Sequence, residues 1–111
     1  MDSREDSLEI SVQETAELLK ARPDLTLIDV REDFERGICC LPSSLQLTEA
    51  LAEEMIEKWD RDRLIVFHCH YGGRSRSAAE YFRQQGFRKV HNMTGGIDAW
   101  ASEIDPSLPR Y

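Results

Sequence analysis

The stretch Leu64-Ile65-Val66-Phe67-His68-Cys69-His70-Tyr71-Gly72-Gly73-Arg74-Ser75 decides how this chain folds. Leu64 to Phe67 is a short apolar run of β-branched and aromatic side chains, the signature of a buried strand. Downstream, Ala78, Ala79 and Phe82, with Ser75 one turn earlier, share a helical face, and Gly86-Phe87 reads as a left-handed cap with its hydrophobic contact. The order is strand, tight loop, helix. The loop carries Cys69 just past the apolar run, where chemistry is done, whereas a packing cysteine would sit within the run.

Gly72 and Gly73 allow positive φ, so that successive N–H groups turn toward one point, where the unpaired N–H groups of the following helix also aim. A Cys69 thiolate at that point would be stabilised by those donors, by the helix dipole and by Arg74, which lowers its pKa below that of a free thiol. Cys69 is therefore the expected nucleophile, and His70, Tyr71, Gly72, Gly73, Arg74 and Ser75 form its anion cradle, with His70 and Tyr71 at the mouth. The plainer reading, a small inert thiol beside an ordinary turn, leaves the convergence of glycines, arginine and helix start unexplained. A loop of this shape is also compatible with anion binding without turnover.

A length of 111 residues suits a single domain, 1–111, with a flexible lead at 1–8 and a surface strap at 103–111 whose prolines exclude regular structure. With 41% hydrophobic and 32% charged residues and no apolar stretch of membrane-spanning length, a soluble protein is expected. The first six residues lack a secretory apolar core, and three cysteines make a poor disulfide framework, so a reducing, cytoplasmic home follows. The net charge of −7 argues against nucleic acid and anionic membrane as partners. Against that background, His68 to Ser77 holds two arginines, two histidines and no carboxylate, a basic island suited to a small anionic substrate.

Along the chain, Ser11-Val12-Gln13-Glu14 is a capping box opening a helix over about residues 12–21. Leu25 to Val30 reads as a central parallel strand broken only by Asp29. Residues 31–43 form a loop or short helical turn, and Leu45 to Leu47 a brief strand. Thr48 caps a helix with Leu51, Met55 and Trp59 on its buried face. Lys89 to Asn92 reads as an edge strand, followed by a helical turn from Ile97 to Ala101. This alternation predicts an α/β fold: a mainly parallel sheet of four to five short strands with helices on both faces. Ligands in such sheets bind beyond the carboxyl ends of the strands, where both Cys69 and Asp29-Val30-Arg31-Glu32 fall.

Those residues resemble the rhodanese family of sulfurtransferases. The resemblance rests on Leu27-Ile28-Asp29-Val30-Arg31-Glu32, on Cys39 to Pro42, on Cys69 to Ser75, and on Met93-Thr94-Gly95-Gly96-Ile97-Asp98-Ala99-Trp100, in that order over almost the whole chain. Cys40 stands where the family commonly has histidine, and Ser43 where glycine is usual. The resemblance implies the three-layer rhodanese-like fold. It also implies that Cys69 accepts a sulfane sulfur as a persulfide from an anionic donor such as thiosulfate and passes it to a thiophilic acceptor: cyanide in vitro, a thiol or protein in the cell. No cofactor and no metal is implied. Related phosphatases of the same fold place five residues between cysteine and arginine. Here there are four, which favours sulfur over phosphate and makes a phosphatase the lesser reading. A low-turnover persulfide carrier or protein-recognition module is the alternative from another class. A monomer is expected, with weak dimerisation as the other outcome.

Asp29 and Arg31 are expected to support the loops as an ion pair, since a buried aspartate must be satisfied. Glu35 joins that network and Arg36 is solvated. His68, Cys69 and His70 match no zinc spacing. Cys39 and Cys40 read as packing thiols, with a redox relay to Cys69 as the alternative. Arg76 is expected in solvent, His91 in an ordinary role, and Trp59 and Trp100 in the core.

Overall fold

The computed structural model describes residues 7–111. Its elements run β1 (Glu9–Ile10), α1 (Val12–Ala21), β2 (Thr26–Asp29), α2 (Asp33–Ile38), β3 (Leu45–Gln46), α3 (Glu49–Lys58), β4 (Ile65–His68), α4 (Gly73–Gln84), β5 (Val90–Met93) and α5 (Gly96–Glu103). Local chemistry starts the helices. The Ser11 hydroxyl accepts from Glu14 N–H at 3.0 Å while the Glu14 carboxylate accepts from Ser11 N–H at 3.1 Å, a reciprocal capping box at α1. The Thr48 hydroxyl caps α3 by accepting from Leu51 N–H at 3.1 Å.

The five strands lie in the order β1-β5-β4-β2-β3, and every pairing is parallel. All residues of β2, β4 and β5 are buried, as strands covered on both faces must be. Leu27, Val66 and Met93 pack on one side with Val12 of α1 and Ile97 of α5, while Ile28, Ile65, Phe67 and Val90 pack on the other against Met55 of α3 and Phe82 of α4. The result is three layers. Phe82 stacks on Phe67 at 5.4 Å and meets Phe87 edge-on at 5.7 Å. Each such buried aromatic stabilises by about 1.5–3 kcal/mol, and this cluster fixes α4 over β4 so that the helix start faces the end of the strand.

The chain steps outward from β2 to β3, then returns to β4 on the other side of β2 and continues to β5. The crevice at such a reversal, beyond the carboxyl ends of β2 and β4, is where parallel sheets place their sites.

Several expectations change. Lys89 to Asn92 is not an edge: β5 lies between β1 and β4, because the N-terminal segment supplies a further strand. Residues 1–6 of the expected lead lie outside the described residues, but Ser7 and Leu8 are tied down. The Leu8 carbonyl accepts from Asn92 N–H at 2.6 Å, and the Ser7 carbonyl contacts His91 Nδ1 at 2.5 Å. Residues 31–43, read as a loop or a short helical turn, hold the short helix α2, at whose start Glu32 N–H donates to the Glu35 carboxylate at 3.0 Å. The strap begins after residue 103, since Glu103 closes α5. Ser43 adopts φ 64°, the left-handed conformation that glycine takes more readily. Among the described residues, no helix is long and apolar enough to cross a membrane.

Candidate active site

β4 ends at His68, and the next residue turns its sulfur under the first turn of α4. Cys69 is only 1% exposed, so its neighbours rather than water determine its charge. Sγ accepts from Gly72 N–H at 3.1 Å and Ser75 N–H at 3.4 Å, and the Ser75 hydroxyl, whose one proton is also within reach of Asn92 Oδ1, lies 3.3 Å away. Burial pushes the thiol pKa up, but the Ser75 hydroxyl and the N–H groups of Ser75, Gly72 and Arg74 outweigh it, leaving Cys69 below the ordinary thiol value. Of the residues read as a cradle, Gly72 and Ser75 place hydrogen-bonding groups at the sulfur, and the backbone differs from expectation in one respect. Only Gly72 takes positive φ, at 112°, as the N-cap of α4, whereas Gly73 is the first helical residue.

The loop is held from β5 and α5. Asn92 Nδ2 donates to the Gly72 carbonyl at 3.0 Å, and Asn92 Oδ1 accepts from the Ser75 hydroxyl at 2.5 Å. Ile97 N–H donates to the Cys69 carbonyl at 2.9 Å and Asp98 N–H to the His70 carbonyl at 3.1 Å, which occupies two of the free donors at the start of α5. Gly96 has φ 61°, and a Cβ there would overlap the carbonyl oxygens of Cys69 and His70. The Gly95-Gly96 pair of the sequence is therefore a site of close backbone approach to the cysteine loop.

Arg74 departs from its expected place. Its guanidinium forms a bidentate pair with Glu35 at 2.7 and 2.9 Å, and only its backbone N–H contributes to the hydrogen bonding at the sulfur. Glu35 is buried, and the Arg74 hydrogen bonds hold its carboxyl well below the usual carboxylate range. Tyr111 completes this cluster: its hydroxyl donates to Glu35 Oε2 at 2.7 Å and accepts from Arg31 Nη1 at 2.9 Å. Burial, with the Glu35 contact, pushes the Tyr111 hydroxyl up to about 12.

Asp29 and Arg31 form the expected pair, bidentate at 2.9 Å for each bond and fully buried. Arg31 also donates to the Cys39 carbonyl at 2.7 Å, so the pair joins the end of β2 to the segment after α2. Arg36 is not solvated. It donates to Asp29 Oδ2 at 2.6 Å and to the Ser44 hydroxyl at 3.2 Å, because α2 turns it back over the end of β2. Arg76 is exposed, as expected, and lies beside Glu80 at 3.0 Å and Glu9 at 3.7 Å. The basic island of the sequence is thus offset in three dimensions by carboxylates from α2, α4 and β1.

His70 lies between two rings, Tyr71 and Tyr111, each with its centroid at 3.8 Å. Tyr71 is exposed. His68 is buried, and neither of its ring nitrogens has a hydrogen-bond partner. Cys39 is buried and Cys40 exposed, and both are free thiols, as is Cys69. His91 serves β5 by its contact with Ser7. Asn92 and Tyr111 were missed from the sequence. Asn92 carried a signal, an amide in a strand of otherwise buried residues, whereas Tyr111 carried none because its partners are distant in the chain.

Comparison with known proteins points to one family. The profile of the rhodanese-like domain matches residues 11–103. A sulfurtransferase of Allochromatium vinosum is 36% identical over 93 residues, covering 84% of this chain and 87% of the relative. The thiosulfate sulfurtransferase GlpE of Coxiella burnetii is 33% identical over 92 residues, covering 83% and 85%. The chain spans 30% of the length of a chloroplastic rhodanese-like/PpiC domain-containing protein of Arabidopsis thaliana, to which it is 38% identical over 89 residues, or 77% of this chain. Among solved structures, a rhodanese-related protein from Thermoplasma volcanium superposes with a TM-score of 0.67 at 30% identity, covering 91% of this chain and 94% of that one. A human single-domain sulfurtransferase shares the fold at a TM-score of 0.73 and 23% identity, covering 87% of this chain and 97% of that one. With a profile match over most of the chain and a cysteine loop, sheet order and glycine pair arranged around one sulfur, the chain belongs to the rhodanese-like domain family of sulfurtransferases.

Proposed function

We propose that this protein transfers a sulfane sulfur through a persulfide on Cys69. The observation that carries the reading is the convergence of two N–H groups and one hydroxyl on Sγ at the start of α4. In the first half-reaction the Cys69 thiolate attacks the outer sulfur of a donor such as thiosulfate. The donor's S–S bond breaks, and sulfite leaves with the bonding electron pair. In the second, a thiophilic acceptor attacks the terminal sulfur of the persulfide and regenerates the thiolate. Cyanide serves as acceptor in vitro and a thiol or protein thiol in the cell. The cradle stabilises negative charge on the Cys69 sulfur at the start and end of this cycle and on the outer sulfur of the persulfide between them. A reducing, cytoplasmic setting keeps Cys69 available as a thiol.

The test is turnover of thiosulfate and cyanide, with mass detection of one added sulfur atom on the Cys69 peptide. Wild type is expected to show both and Cys69→Ser neither. Absence of both from wild type sinks the reading. A second reading, a low-turnover persulfide carrier, is favoured by the pairing of Arg74 and Arg76 with carboxylates, which weakens attraction for a free dianion. It predicts that Cys69 gains sulfur readily from a persulfide donor while thiosulfate turnover stays low.

A further inference from the structure

Ser75 has one hydroxyl proton and three acceptors in reach: Asn92 Oδ1 at 2.5 Å, Cys69 Sγ at 3.3 Å and the Gly72 carbonyl at 3.3 Å. The orientation of Asn92 is dictated by its partners. Its Nδ2 faces the Gly72 carbonyl at 3.0 Å and the Glu9 carboxylate oxygens at 3.0 and 3.1 Å, all of which only accept. Oδ1 therefore faces Ser75 and carries no proton, so Ser75 must donate for that short contact to hold. With its proton there, Ser75 turns a lone pair to Sγ. A lone pair suits an S–H group and opposes a thiolate.

We propose that Ser75 is a one-proton switch at the reacting sulfur, set by Asn92 as a positioning residue: the hydroxyl donates to Asn92 Oδ1 beside a neutral thiol and turns to Sγ when the sulfur is charged. The proposal rests on Cys69 being the reacting group and adds how its charge is managed. No covalent bond of Ser75 changes. The thiol proton leaves to solvent, and Ser75 keeps its own. Among the described residues, Asn92 is a competitor for the one side-chain hydroxyl that reaches Sγ, and Glu9 on β1 holds that competitor in place together with Thr94, whose hydroxyl donates to Glu9 at 2.7 Å. The edge strand β1 is thereby linked to the sulfur through Glu9, Asn92 and Ser75. The other titratable and charged groups around the sulfur are His68 on β4, His70 with Tyr71 and Tyr111, Arg74 with its partner Glu35 on α2, and Arg76 beside Glu9. All are retained in the variants below.

The test is the pH dependence of Cys69 alkylation by iodoacetamide in the full chain, read peptide by peptide so that Cys39 and Cys40 are counted separately. Ser75→Ala removes a hydrogen bond to a charged sulfur and is expected to raise the midpoint by about one pH unit. Asn92→Ala frees the hydroxyl and is expected to lower it by about half a pH unit. Asn92→Asp keeps the competing acceptor, adds negative charge and raises it. Combined with Ser75→Ala, Asn92→Ala is expected to have no further effect. A merely structural clamp would move Asn92→Ala and Asn92→Asp in the same direction, because both lose the donor to Gly72, and that result overturns the switch. So does an Asn92→Ala effect that persists without the Ser75 hydroxyl. Ser75→Ala alone also decides, since an unchanged midpoint there overturns the switch even if the Asn92 variants do not fold. These titrations need no sulfur donor, so they succeed or fail separately from the sulfur-transfer assay.

Discussion

Replacing His68 by leucine should make the protein less sensitive to acid without weakening it at neutral pH. His68 sits on β4 in register with Asp29 of β2, fully buried, with both ring nitrogens unpartnered. Burial pushes its pKa from 6.5 down to about 4; Arg31 and Arg36 add to the fall, and Asp29 and the backbone of Cys69 oppose it. The unfolded chain takes up a proton below 6.5, but the folded protein does not until about 4. The neutral ring thus contributes its full stability above 6.5, and that contribution is lost as pH falls from 6.5 toward 4. At about 1.4 kcal/mol per pH unit the interval amounts to about 3 kcal/mol, of which about 2 kcal/mol is gone by pH 5. Leucine cannot be protonated, and it replaces two unsatisfied polar atoms with apolar ones on the face shared with Val66. Urea unfolding at pH 8, 7, 6 and 5 should show wild-type stability falling by about 2 kcal/mol more than that of His68→Leu. His91, also buried with a lowered pKa, contributes equally to both proteins. Parallel curves for the two proteins would refute the reasoning, as would a steeper fall in the variant.

Gly96→Ala places a Cβ against the carbonyls of Cys69 and His70 at a positive φ, so unfolding free energy should drop by about 2 kcal/mol or more, measured in urea, and a wild-type midpoint would contradict the close approach. Arg74→Ala leaves the Glu35 carboxylate buried without its guanidinium, which should cost about 1–3 kcal/mol given the partial exposure of Arg74. Glu35→Gln, which leaves the charge on the half-exposed partner, should cost less, and the reverse order in thermal unfolding would show that Arg74 does not serve Glu35.

Much of the fold was legible because its signals are local. The capping box at Ser11, the Thr48 cap, the apolar runs at Leu25 and Leu64, and the Gly86-Phe87 cap each depend on a few neighbouring residues. The helix α2 was harder to read, since its capping box uses Glu32 in place of the usual small hydroxyl or amide. The N-terminal strand escaped notice because two residues carry no periodicity, and without it β5 reads as an edge.

For the site, the sequence alone determined that a cysteine would stand between a strand end and a helix start, with Gly72 to turn the chain and Ser75 one turn into the helix. Those are properties of neighbours in the chain. Only the tertiary structure decided where the charges go. Arg74 reaches Glu35 of another helix instead of the sulfur, Arg36 turns back to Asp29, and Tyr111 joins Glu35 to Arg31. It also brought Asn92 and Gly96 against the loop. The physical reason is range: capping and turn formation act over three or four residues, whereas a guanidinium or an amide takes whichever acceptor the packed layers bring within 3 Å.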